Sequence, residues 1–289
     1  MFPANFDYVA PTSLDEALAI LAERGDDAKV LAGGQSLIPL MKLRFAAPAL
    51  IVDINRIPGL DDMTLDKSNR LHVGALVRNR ALEHSDVLKK RYPTMAAAAP
   101  LISDPIVRNQ GTFVGSLCHA DPQGDWGSVM LALEGEVVAR SAKGQRKIPV
   151  TRFFDGPFTS VLRPDELAVE ATVPDPGPKS FGTYLKLERK VGDFATVGVA
   201  VFVSTERGIV RRAGIGLTGV GATNIKAVAA EEALIGKRLS DKTIAQAAQL
   251  AADASDPKTD VRGSAEYKRD VVRVFVARGL SQATSAKAA

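Results

Sequence analysis

The chain reads as an α+β protein of two domains, and three stretches predict it. Pro174-Asp175-Pro176-Gly177-Pro178 denies continuity to helix and sheet alike and marks a boundary. Beyond it, three strand-like runs precede three helix-like runs, the order expected of an antiparallel sheet covered on one face. Before it, Lys29-Val30-Leu31 runs into the pair Gly33-Gly34 and out into a second apolar run, a strand leading into a glycine loop. The reading assigns residues 1–176 to a first domain, 177–280 to a smaller second domain and 281–289 to a disordered Ala/Ser/Lys tail.

In chain order, Ser13 and Glu16 form a capping-box pattern, and Leu14, Ala17, Leu18 and Leu21 follow at helical spacing, so a helix runs to about Arg24 and stops at Gly25. Residues 49–54 are short, apolar and β-branched ahead of a Pro58-Gly59 turn and read as a buried strand, as do residues 71–76. Asn79 caps a short helix through His84, and Thr94 to Ile102 reads as a helix interrupted by Pro100. Residues 127–133 form a short apolar helix, 136–140 and 146–150 pair across a Lys143-Gly144 turn, and 166–173 closes the domain. In the second domain the strands are 183–188, 197–204 and 209–218, and the helices are 226–235, 240–254 and 265–278.

Composition excludes several classes of function. With 289 residues, 46% hydrophobic and 24% charged, the chain is an ordinary globular one. The surplus of +4 is spread along the chain, and no Lys/Arg run is interleaved with aromatics, which make up 6%, so nucleic acid is not an expected partner. Cys118 is the single cysteine, which rules out a disulfide and a thiolate set for iron–sulfur or zinc. The N-terminus lacks a basic region followed by an apolar one, and no stretch approaches the roughly 20 apolar residues of a membrane span, so the expected location is the cytoplasm.

The chemistry centres on two glycine-bearing loops. In Ala32-Gly33-Gly34-Gln35-Ser36-Leu37-Ile38-Pro39, glycines without Cβ atoms let successive N–H groups converge on an anion, and Ser36 adds a hydroxyl; the same pair also serves as a plain turn. The second stretch runs from Arg108 to Asp125 and contains Gly111-Thr112-Phe113-Val114-Gly115-Ser116 and Ala120-Asp121-Pro122. Together they resemble the FAD-binding medium subunit of the molybdenum hydroxylases, the group of carbon monoxide dehydrogenase and xanthine dehydrogenase. The family's A-G-G-x-S-L-x-P loop is complete at Ala32 to Pro39, and its T-x-G-G-x-L/S loop matches at Thr112, Gly115 and Ser116. Val114 stands where that family usually has glycine. Gly263-Ser264-Ala265-Glu266-Tyr267-Lys268 resembles its C-terminal signature.

The resemblance implies a two-lobed FAD-binding domain of the vanillyl-alcohol-oxidase/PCMH type followed by an α+β C-terminal domain. It implies non-covalent FAD, its pyrophosphate held by Ala32, Gly33, Gly34, Gln35, Ser36 and Leu37 on one side and Thr112, Gly115 and Ser116 on the other. Asp125, with Asp121 and His119, would line the flavin end. Lys186 would place positive charge near the ring, and Phe194 matches an aromatic that a second-domain loop brings over it. The Val114 Cβ would weaken one backbone contact to phosphate, so that Val114→Gly would tighten FAD binding. Gln35 stands where the carbon monoxide enzymes tend to carry histidine, which favours an aromatic, N-heterocyclic, purine or aldehyde substrate for the complex.

The residues by themselves leave other readings open. His72 and His84 are too scattered for a metal site and read as structural or surface groups. Cys118 reads as a small buried hydrophobe or a flavin neighbour, and Asp121 and Asp125 also suit loop caps. Residues 184–196 also read as a hairpin with a solvated tip. The family implies an electron-transfer subunit passing electrons from a small 2Fe-2S subunit through FAD to an external acceptor, with molybdopterin on a large subunit and a dimer of heterotrimers as the assembly. A non-redox scaffold subunit and a self-sufficient FAD oxidoreductase are the alternatives.

Overall fold

The computed structural model describes residues 2–285. Its first layer is a small parallel sheet in the order β1 (Asp7–Val9), β3 (Leu50–Asp53), β2 (Ala28–Leu31). Helix α1 (Leu14–Arg24) covers it, burying Ala17, Leu18 and Leu21 beside Leu50, Val52 and Ile54. Half of the expected capping box forms: the Ser13 hydroxyl accepts from the Glu16 N–H at 3.2 Å, but the Glu16 carboxylate accepts from the Thr12 N–H at 2.9 Å, one residue before the cap. The glycine loop leaves β2 and enters the short helix α2 (Leu37–Lys42).

The second lobe is built on an antiparallel sheet. Strands β4 (Met63–Leu65) and β5 (Leu71–Gly74) precede six short helices: α3 (Asn79–His84), α4 (Asp86–Arg91), α5 (Pro93–Ala98), α6 (Pro105–Gln110), α7 (Phe113–His119) and α8 (Asp125–Ala132). Strands β6 (Glu136–Ser141) and β7 (Gly144–Pro149), a small hairpin of β8 (Phe154–Gly156) and β9 (Thr159–Ser160), and β10 (Leu167–Val173) follow. The sheet order is β4-β5-β10-β6-β7, so the last strand of the lobe lies in the middle and locks its ends together. Trp126 and Phe113, both fully buried, meet edge to face at 4.8 Å in the core beneath the helices.

Residues 174–179 carry no helix or strand and lead into β11 (Ser180–Leu187), β12 (Val197–Glu206), β13 (Ile209–Thr218) and β14 (Ile225–Lys226), an antiparallel sheet in sequence order. Helices α9 (Val228–Leu234), α10 (Asp241–Asp253) and α11 (Ala265–Ser285) pack on one face. The other face is covered too, by α5 and α8 of the first part of the chain. A Cβ on Gly214 would strike the Ala132 carbonyl and one on Gly216 the Ser128 carbonyl, so these two glycines let β13 lie directly on α8.

Three local expectations are corrected. The stretch from Arg108 to Asp125, read as loop, holds the end of a short helix at 105–110 and a second at 113–119, hinged at Gly111-Thr112. Asn79 is not a cap but the first residue of α3, buried, and its side-chain oxygen accepts the Trp126 indole N–H at 2.9 Å. Residues 281–285 are not a tail: α11 continues through Ser285 because Leu280 and Ala283 lie at helical spacing against the second core. Residues 286–289 of the expected tail lie outside the described residues.

Candidate functional site

The fold brings the two glycine loops together although they are far apart in sequence. A Cβ on Gly33 would meet the Gln110 carbonyl and lie 2.8 Å from the Gly111 Cα, so the first glycine is required by contact with the second loop. Gly34 has φ 71°, the left-handed turn that sends the chain into α2. The N–H groups of Gly33, Gly34, Gln35, Ser36 and Leu37 find no acceptor among the described residues, and the Ser36 hydroxyl makes no cap. A run of half-exposed main-chain donors without acceptors suits an anion with several oxygens.

Thr112 organises the second loop. Its hydroxyl accepts from the Gly115 N–H at 3.2 Å, and a Cβ on Gly115 would lie 2.5 Å from that hydroxyl, which explains the glycine. Ser116 is half-buried one turn along, its N–H on the Thr112 carbonyl. Val114 is 1% exposed, with its side chain in the core beside Phe113, Leu117 and Trp126. Its Cβ therefore points away from the face that meets the first loop, and its helical backbone already has negative φ. The expected steric loss at the phosphate does not follow.

Sequence reading missed the residues that join the loops. Arg78 donates to the Gln110 carbonyl at 2.5 Å and to the Asn55 side-chain oxygen at 2.5 Å. Asn55 in turn donates to the Ala32 carbonyl at 2.8 Å and to Asp53 at 2.6 Å, and the Tyr8 hydroxyl donates to Asp53 at 2.6 Å. Burial lowers the Arg78 pKa, opposed by Asp53 and Asp61. An isolated Arg and an isolated Asn carry no motif, so no sequence signal pointed to them.

At the other end of the site Asp125, 6% exposed, opens α8. The Tyr184 hydroxyl donates to one of its oxygens at 2.6 Å, and the Lys186 ammonium donates to the other at 3.0 Å and to the Leu101 carbonyl at 2.8 Å. Burial pushes the Asp125 pKa up, and the Lys186 charge and the two donors hold it down. Burial and the neighbouring carboxylate raise Tyr184 well above its ordinary value. Lys186 and Asp125 are thus an ion pair between the two halves of the chain, and Lys186 is engaged within the protein. The buried Glu188 Oε2 lies 3.5 Å from the same ammonium, an ion pair without a formed hydrogen bond.

His119 lies against Phe158, the rings tilted by 47° with centroids 5.2 Å apart, and sits 3.9 Å from Asp121. Burial lowers its pKa against the pull of Asp121, which favours the neutral ring. Asp121 accepts from the Gln123 N–H at 2.8 Å, an Asx turn that feeds α8. Cys118 is an inert thiol, pushed up to about 12 by burial. The His72 ring lies between Glu170 and Asp66, its nitrogens 3.2 and 3.4 Å from the two carboxylates, a half-buried structural position.

The hairpin loop after β11 reaches back to the first half of the chain. Gly192, φ 86°, lies against Ser103 and Asp104, and the Ser103 hydroxyl donates to its carbonyl at 3.5 Å. Asp193 accepts from Arg189 at 3.1 Å and from both terminal nitrogens of Arg262 at 3.2 and 3.3 Å. Burial works against its charge, but Arg262 and the Phe194 N–H hold the carboxyl down to about 2. Phe194, 52% exposed, stands on this anchored loop.

Two family models match the chain: the FAD binding domain in molybdopterin dehydrogenase over residues 4–176, and the CO dehydrogenase flavoprotein C-terminal domain over residues 182–283. The chain belongs to the FAD-binding subunit family of the molybdopterin dehydrogenases. It is 42% identical to the 6-hydroxypseudooxynicotine dehydrogenase complex subunit alpha of Paenarthrobacter nicotinovorans, with 98% of this chain and 96% of that one aligned. It is 38% identical to the carbon monoxide dehydrogenase medium chain of Hydrogenophaga pseudoflava, with 98% of each aligned. Among solved structures, the carbon monoxide dehydrogenase of Hydrogenophaga pseudoflava that lacks the Mo-pyranopterin moiety superposes with a TM-score of 0.95 at 41% identity, covering 99% of both chains. Quinoline 2-oxidoreductase from Pseudomonas putida 86 superposes at 0.91 and 30% identity, again over 99% of both chains.

The flavoprotein subunit therefore takes FAD as its cofactor. The residues present suit it: the run of N–H groups from Gly33 to Leu37, without acceptors among the described residues, matches a diphosphate. Among the described residues no group of three or more His, Cys, Asp or Glu side chains could hold a metal, and no helix is long and apolar enough to cross a membrane.

Proposed function

We propose that FAD lies with its pyrophosphate between Ala32 to Leu37 and Thr112 to Ser116, and its ring end toward Asp125, Lys186 and the Phe194 loop. The observation that carries this is the junction of the two loops at Gly33 and Gly111, beside which the half-exposed N–H groups of residues 33–37 have no acceptor among the described residues. Thr112 and Ser116 supply hydroxyls beside them. His119, held neutral, and Asp121 shape the turn between the loop and α8. FAD bound here supplies reversible electron exchange. Lys186, paired with Asp125, ties the two halves together at the ring end, and the Arg262–Asp193 anchor holds Phe194 in place.

The subunit works within a complex in which a small 2Fe-2S subunit delivers electrons and a large molybdopterin subunit oxidises the substrate, assembled in the cytoplasm as a dimer of heterotrimers. The names of the relatives support this reading, since they are subunits or medium chains of dehydrogenases. The scaffold reading draws on Val114 and on the absence of an evident acid/base pair, and the first of these motives is weakened because the Val114 side chain lies in the core. Co-expression with the large and small chains, followed by purification on a tag carried by this one, tests the proposal. The expected product is a yellow complex containing iron, molybdenum and all three chains in equal amounts. A chain that purifies alone and colourless from that co-expression would overturn it.

A further inference from the structure

The Arg78 guanidinium touches the backing of the second glycine loop directly and that of the first through Asn55. Its two terminal nitrogens point in different directions: one to the Gln110 carbonyl, the oxygen that a Cβ on Gly33 would strike, and one to Asn55, which holds the Ala32 carbonyl. Both acceptors are neutral. Arg78 forms no salt bridge among the described residues, and Asp53 and Asp61 act on it only through longer-range attraction. The protein thus half-buries a cation that no carboxylate pairs directly, behind a cradle of main-chain donors. The backbone beside it, Arg78 bridging to Thr112, holds the start of α7 in the same assembly.

We infer that Arg78 is a positioning residue for the FAD pyrophosphate: it clamps the Ala32 and Gln110 carbonyls into one unit and supplies the positive charge behind the cradle. This deepens the FAD-binding reading above and rests on it. Asn55 is the second half of the clamp, since only through it does the guanidinium reach the first loop.

The test is titration of the full-length apo-protein with FAD, read by flavin fluorescence, at several salt concentrations for wild type, R78Q and R78K. Gln lacks the charge and the reach, while Lys keeps the charge. R78Q should bind FAD about tenfold or more weakly, the loss expected when an interaction with a charged group is removed, and with a shallower dependence on salt. R78K should recover most of the affinity and the wild-type salt dependence. Affinity in R78Q within twofold of wild type would overturn the inference. So would a loss with unchanged salt dependence and no recovery in R78K, the mark of a merely structural role. A wild-type protein that binds no FAD would instead overturn the functional reading itself, and the Arg78 role with it.

Discussion

Replacing Lys186 with methionine keeps an unbranched apolar stem of similar reach and removes the ammonium that neutralises Asp125. The lysine side chain is 2% exposed and the aspartate side chain 7%, so water cannot take over. The variant leaves a buried carboxylate with only the Tyr184 hydroxyl, and breaking a buried pair from one side costs about 3–5 kcal/mol. At a urea m-value of about 3 kcal/mol/M, the unfolding midpoint falls by about 1–1.7 M. The chain's single tryptophan, Trp126, is adjacent to Asp125 and fully buried, so its fluorescence reports the transition. The pH dependence has a definite sign. Asp125 already has a raised folded pKa, and loss of the ammonium raises it further. Above the ordinary carboxyl value the folded variant holds a proton that the unfolded chain has released, so its stability falls as pH rises. The deficit against wild type is therefore larger at pH 7 than near pH 4. The double variant with Asp125→Asn removes the unpaired charge and recovers part of the loss. A Lys186→Met deficit under about 1 kcal/mol, or one that does not vary with pH, would refute the account of this pair.

Two further outcomes follow from the site. Val114→Gly should destabilise the protein by about 2–4 kcal/mol, from lost burial of the valine and a glycine in a helix, while FAD affinity stays within about threefold of wild type; tighter FAD binding would show that valine does obstruct the cradle. The folded Asp193 carboxyl is held down to about 2, so the stabilisation from its Arg189 and Arg262 contacts is complete above the ordinary carboxyl value and is lost as pH falls from about 4 toward 2. The stability gap between wild type and Asp193→Asn, measured by urea unfolding, should narrow over that range, and a constant gap would contradict the anchoring role.

The parts of this fold visible in sequence were those with local punctuation. Ser13 and Glu16 announced α1, the proline run preceded β11, and the Gly33-Gly34 pair marked the first loop. Helices α6 and α7 were not visible because six or seven residues give too little periodicity to separate a helix from a loop. The covering of the second sheet on both faces was signalled, though unread, by Gly214 and Gly216 inside a strand, where glycine marks a close backbone approach. Val114 shows the limit of motif comparison: a pattern gives the residue at a position but not the direction of its side chain. Arg78 and Asn55 act through contacts across the chain, at |i−j| of 32 and 23, and no local rule could have found them.

The central claim is that Gly33 and the Gln110-Gly111 turn form one FAD cradle, and titration of wild-type and Gly33→Ala apo-protein with FAD tests it most directly. The methyl group of alanine would press on backbone atoms of Gln110 and Gly111, which cannot swing aside as a flexible side chain would. The account predicts saturable binding of one FAD per wild-type chain with quenched flavin fluorescence, and loss of that binding in Gly33→Ala while the variant still unfolds cooperatively. Wild-type protein that leaves FAD unbound, or a Gly33→Ala variant with full occupancy at unchanged affinity, would contradict it.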